Sequence, residues 1–81
     1  MRVRVVPFAR IRDIVGSDAL VRDAPEGATA GEIWNGLAGE FPALGELALS
    51  TRLVRNGAFV DAAVRLNDGD ELALLPPYGG G

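Results

Sequence analysis

The last six residues of this 81-residue sequence, Pro76-Pro77-Tyr78-Gly79-Gly80-Gly81, join a stiff stem to an end with no side chain at three successive positions. Pro-Pro favours an extended polyproline backbone, and glycine lacks the Cβ that would bar a chain from a narrow channel. Six extended residues reach about 20 Å. Ordering flexible glycine costs about 1–2 kcal/mol per residue, so such an end is useful only where a partner's pocket offsets that loss. Taken alone, the same string also fits a frayed or engineered terminus.

The remaining side chains offer little chemistry. The sequence has no Cys and no His, which removes disulfides, thiolate nucleophiles, zinc sites and the usual general base. All eight basic residues are Arg, so Schiff-base chemistry has no lysine to use; codon bias is the ordinary reading of that composition. Asn67, Asp68, Asp70 and Glu71 resemble a fragment of a calcium loop, but the other oxygen ligands are missing at their required spacings, and a plain turn is expected with no metal site. Arg2, Arg4, Arg10 and Arg12 read as charge on a solvated face rather than as an anion site. A net charge of -3 argues against nucleic acid as a partner. The N-terminal stretch interleaves arginine with valine and no segment is long enough to cross a bilayer, so a cytoplasmic protein with no membrane partner is expected.

The elements that must hold this end in place follow from periodicity. Val3, Val5 and Pro7 alternate with Arg2, Arg4, Val6 and Phe8 as in a half-buried strand. Residues 9–15 carry Ile11, Ile14 and Val15 at helical spacing and stop at Gly16, and residues 18–23 can return as a second strand. Thr29-Ala30-Gly31-Glu32 is a capping box that opens a helix with Ile33, Trp34, Leu37, Ala38 and Phe41 on one face, ended by Pro42. Gly36 and Gly39 each cost this helix about 1 kcal/mol relative to Ala, for no reason legible in the sequence. Residues 43–50 fit either a loop or a further helical turn. Asn56-Gly57 predicts a tight hairpin between residues 52–55 and 58–61, and Asn67-Asp68-Gly69-Asp70 a turn before a last strand over 71–75. One long helix covering a mostly antiparallel sheet is an α+β roll, here a domain over residues 1–75 followed by a tail over 76–81. If the last strand pairs beside the first, the arrangement is a β-grasp.

Three large apolar residues break the inward parity of their strands. Phe8 shares its parity with Arg2 and Arg4, Phe59 with Asp61, and Leu75 with Glu71, so all three are expected to point outward and form an interaction patch at the root of the tail.

The opening strand running into FARIRDIVG (residues 8–16), the VRNGAFVD hairpin (54–61), LNDGDELALLPP (66–77) and the closing Gly80-Gly81 together resemble the MoaD/ThiS family of sulfur carriers, most closely its molybdopterin synthase branch. Gly79 departs from the family, where a small polar residue is common. The resemblance implies a ubiquitin-like β-grasp fold, with a mixed sheet covered by one main helix. It also implies that the Gly81 carboxylate is the working group. An activating enzyme of the ubiquitin-E1 type, using ATP and Mg²⁺, would convert it to an acyl-adenylate, and a sulfur donor would displace AMP to leave a thiocarboxylate. This chain, binding no cofactor and not an enzyme by itself, would then give sulfur to a pyranopterin held by the large molybdopterin synthase subunit, in a heterotetramer whose large subunit carries the catalytic residues. Pro76, Pro77, Tyr78, Gly79 and Gly80 would thread the partner's channel, and Phe8, Phe59 and Leu75 would dock both partners. Relatives serving thiamine or cysteine synthesis share the Gly-Gly end but usually lack the Pro-Pro stem. A ubiquitin-like binding module, or a modifier conjugated to lysines, would use the same fold.

Overall fold

Val3, Val5 and Pro7 face one side of the first strand and are buried, while Arg2 and Arg4 face the other and are exposed. That alternation fixes which surface of the sheet receives the helix. In the computed structural model, which describes residues 1–77, the chain runs β1 (Arg2–Pro7), α1 (Ala9–Val15), β2 (Leu20–Asp23), α2 (Ala30–Glu40), a 3-10 helix (Pro42–Leu47), β3 (Arg52–Arg55), β4 (Ala58–Val60) and β5 (Glu71–Leu75). The return strand begins at Leu20, two residues later than the pattern suggested. The segment left open by periodicity is the 3-10 helix, which sends Leu44 fully into the core and leaves Leu49 fully exposed just beyond its end.

The five strands form one sheet in the order β2-β1-β5-β3-β4. β1 and β5 are parallel, and the other three pairings are antiparallel. The last strand therefore lies in the middle, beside the first, and satisfies the condition set above for a β-grasp. Val3, Val5, Leu72 and Leu74 meet Ile33, Trp34 and Leu37 of α2, with Ile11 of α1, Leu44 and Leu66, in one core.

Local chemistry explains the joints. Asn56 and Gly57 both have positive φ, +49° and +86°, as a two-residue type I′ turn requires. Of the two bonds expected from the capping box, the structure forms the one in which Glu32 N–H donates to the Thr29 hydroxyl, at 3.2 Å. Gly31 has a steric role that its place in that box did not reveal: its N–H donates to Ala62 O at 2.9 Å, and a Cβ there would stand 2.9 Å from Ala62 Cβ. The loop after β4 is thereby pressed against the first turn of α2. A Cβ at Gly36 or Gly39 would meet nothing within 4 Å, so packing demands neither glycine. No helix among the described residues is long and apolar enough to cross a membrane.

Candidate functional site

The end of β5 is where the sheet delivers the tail. β5 is paired along both edges, by β1 and by β3, and its inward residues Leu72 and Leu74 have no exposed surface. A strand hydrogen-bonded on both sides over a packed core is among the least mobile parts of a small domain. From that anchor the chain passes through half-buried Leu75 and Pro76 to exposed Pro77. Tyr78, Gly79, Gly80 and Gly81, which the sequence assigned to threading and reaction, lie outside the described residues.

Two residues flank the exit. On the β1 side, Phe8 N–H donates to Leu74 O at 3.1 Å, and Ala9 then turns the chain into α1 with φ +48°. A left-handed conformation costs a non-glycine residue about 1–2 kcal/mol, so the surrounding structure imposes this kink, and it leaves Phe8 42% exposed beside the tail. On the β3 side Arg52 pairs with Leu75, and its guanidinium carbon lies 4.7 Å from the centroid of the Phe59 ring. Phe59 is 63% exposed.

Phe8, Phe59 and Leu75 thus all lie on the solvent face, but they are not mutual neighbours. Phe8, the residue just past the end of β1, lies beside the end of β5 that carries Leu75, whereas Phe59 on β4 is two strands from Leu75, about 10 Å laterally. Leu75 is half-buried rather than fully exposed, because its central strand has a neighbour on each side. Residues that the sequence reading did not single out fill the gap. Register places Val6 opposite Ala73, Ala73 opposite Val54, and Val54 opposite Phe59, an apolar row across four strands. The signal was present, since a two-residue Asn-Gly loop sets Val54 against Phe59, but Ala73 and Val6 join the row only once the sheet order is known. Away from the exit the same face turns ionic, with Arg4 3.8 Å from Glu71 and Arg2 3.4 Å from Asp23.

The acidic turn before β5 is a structural lock. Asp70 is buried, accepting Asn67 N–H at 2.8 Å on one oxygen and the Asn56 side-chain amide at 2.9 Å on the other. Asn56 in turn exchanges backbone and side-chain bonds with Glu71, at 2.9 and 2.8 Å, so the Asn-Gly turn is clamped to the start of β5. The Asn67 N–H holds the Asp70 carboxyl below its ordinary value, with help from the Asn56 amide and the Arg55 charge and against the effect of burial. Among the described residues no group of His, Cys, Asp or Glu is arranged to hold a metal ion.

Known proteins share this architecture. The molybdopterin synthase sulfur carrier subunit of Arabidopsis thaliana is 31% identical over 81 residues, covering 100% of this chain and 84% of that protein. Small archaeal modifier protein 1 of Haloferax volcanii is 35% identical over 82 residues, covering 91% and 94%. The crystal structure of the Haloferax protein SAMP1 matches at a TM-score of 0.84 with 32% identity, covering 100% of both chains. A chain in the complex of subunits 1 and 2 of the molybdopterin-converting factor of Helicobacter pylori matches at 0.70 with 26% identity, again covering 100% of both. The fold is thus the ubiquitin-like β-grasp. With the ThiS family model matching residues 5–81 and these relatives spanning nearly its whole length, the chain belongs to the ThiS family, the MoaD/ThiS group of sulfur carriers and ubiquitin-like modifiers.

Proposed function

We propose that this chain carries sulfur for molybdopterin synthesis as a thiocarboxylate on Gly81. The observation that carries this reading is the course of β5: the central strand of the sheet, paired on both edges, ends at Leu75 and hands the chain to Pro76 and Pro77, at the margin of a half-buried apolar row that ends in exposed Phe59. A partner that covers the row receives the last residues at its own surface. The small-residue end, Gly79-Gly80-Gly81, then enters a channel that any Cβ would obstruct.

The chemistry has two stages. A carboxylate is a poor electrophile, so the Gly81 carboxylate attacks the α-phosphorus of ATP, bound with Mg²⁺ by an E1-like activating enzyme, and pyrophosphate leaves. Sulfur at the sulfide level, supplied as hydrosulfide by a sulfur donor, then attacks the acyl carbon, AMP leaves, the sulfur gives up its proton, and a thiocarboxylate remains. In the second stage its sulfur is the nucleophile toward a pyranopterin held by a large synthase subunit. With no Cys, His or Lys in this chain, proton transfer and substrate binding fall to the partner. The similarity to the subunit 1 and 2 complex of Helicobacter pylori supports a large-subunit partner. A second reading, a modifier joined to target lysines through the same end, is favoured by the 35% identity to small archaeal modifier protein 1.

Incubation with a cognate activating enzyme, ATP, Mg²⁺ and a sulfur donor should change the intact mass by one oxygen-to-sulfur exchange. Deleting Gly81, or appending a residue that stays uncleaved, should abolish the exchange. Sulfur uptake by the uncleaved extended form would overturn the carboxylate mechanism. Isopeptide-linked targets in extracts would favour the modifier reading.

A further inference from the structure

An activated C-terminus is an acylating agent. An acyl-adenylate reacts with any free amine within reach, forming an amide bond at the acyl carbon while AMP leaves and the amine gives up a proton. A protein that passes through this state therefore risks acylating itself or a second copy. Both carrier and modifier readings share the activated state, so this inference rests on the C-terminal chemistry proposed above.

Three features of the chain remove the acceptors. No lysine occurs among its 81 residues, because all eight basic positions are arginine, whose guanidinium stays protonated and is not a nucleophile at neutral pH. The α-amine of Met1 is partly buried and donates to Ala24 O at 2.8 Å. It also stands at the wrong end of the sheet. Because β1 and β5 are parallel with Pro7 opposite Leu74, the tail leaves level with Phe8, about 23 Å along β1 from Met1. The residues beyond Leu75 span at most about 20 Å when fully extended. Of the hydroxyls, those of Ser50 and Thr51 donate to Leu47 O and that of Thr29 accepts from Glu32 N–H; Ser17 is exposed, and neither it, the phenol of Tyr78 nor the others has a histidine in the chain to activate it.

We infer that the folded chain is inert to its own activated end: it donates sulfur or acyl groups outward but is no acceptor for a second copy, so it forms no chains of itself even if it acts as a modifier. Whatever set the arginine-only composition, this is its chemical consequence.

Two arms test it. In the first, the full-length protein is treated at neutral pH with an amine-selective N-hydroxysuccinimide ester, without any enzyme. Met1 should label about tenfold more slowly in the folded protein than after unfolding, the protection that one hydrogen bond provides. Leu49→Lys, at a fully exposed position, should label without delay in the folded state. Equal labelling of Met1 in the folded and unfolded protein would overturn the inference. In the second arm, activating enzyme, ATP and Mg²⁺ are supplied with no sulfur donor. Wild type should stay monomeric on a denaturing gel, whereas Leu49→Lys accumulates a covalent dimer. Wild-type dimers, or a lysine variant that releases pyrophosphate and still remains monomeric, would each refute it, the latter because protection would then come from the enzyme. Absence of pyrophosphate release counts against the proposed activation chemistry instead, and the enzyme-free arm then decides the acceptor question.

Discussion

Phe59→Glu separates docking from folding. Phe59 keeps 63% of its surface exposed. An aromatic side chain of about 200 Å² therefore has about 125 Å² left to bury against a partner, which at about 25 cal/mol per Å² corresponds to about 3 kcal/mol. Within the free protein the substitution has small and opposing effects. It removes the contact with Arg52, worth about 0.5–1 kcal/mol at an exposed site, and sets a new carboxylate beside the same guanidinium, worth about 0.2–1 kcal/mol. Stability should consequently change by less than about 1 kcal/mol. Urea unfolding followed by fluorescence of Trp34, the only tryptophan and 93% buried, reads the first quantity. Calorimetric titration with the activating enzyme and with a large synthase subunit reads the second, where affinity should fall by at least about 2 kcal/mol, nearly thirtyfold. Unchanged affinity for both partners would refute the docking role of the apolar row. A loss of several kcal/mol in stability would show that Phe59 is a packing residue despite its exposure.

Gly31→Ala and Gly36→Ala should have opposite signs although both lie in α2: the new methyl at 31 meets Ala62 and costs about 1–3 kcal/mol, whereas at 36 it enters open space and gains about 1 kcal/mol. Urea midpoints check both, and equal effects would dismiss the close approach. Because the Asp70 carboxyl is held below its ordinary value in the fold, its stabilisation is present above the unfolded-state value of about 3.9 and is lost as pH falls through the lower folded value. Asp70→Asn should thus lower the midpoint at pH 7 and flatten the acid dependence below about pH 4; an unaltered acid limb contradicts the lock. Leu75→Glu should weaken partner binding more than it lowers the melting temperature, and binding that is normal in a destabilised variant would assign Leu75 to the core instead. Gly80→Val should leave the melting temperature unchanged while blocking sulfur uptake, and normal uptake would reject a channel that excludes side chains.

What the sequence made legible was local. Ala9 and Val15 bound α1 where the periodicity placed them, and Asn56-Gly57 set its own turn, because the governing forces act within a few residues. The 3-10 helix at Pro42–Leu47 escaped, since six residues show too little period to separate a turn from a loop. The role of Gly31 depends on Ala62, and the burial of Asp70 on Asn56, partners distant in sequence that nothing local announces. The outward parity of Phe8, Phe59 and Leu75 could be read one strand at a time. That Val6, Ala73 and Val54 bridge them could not, because it needs the order of the strands.

That order also bears on the birth of the protein. β5 is made last yet sits between β1 and β3, and the β1–β2 and β3–β4 pairs share no edge without it. While β5 is still inside the ribosome, the nascent chain can form its two hairpins and α2, but the two halves cannot join. Closure waits until β5 has emerged, and the central parallel pairing then joins strands far apart in sequence, which is slow relative to local structure. A product terminated before β5 would expose unpaired strand edges and an uncovered core, the usual substrate of proteases and chaperones. Folding thus works as proofreading: the chains that survive have been synthesised through Leu75, up to the doorstep of the segment proposed to carry the chemistry.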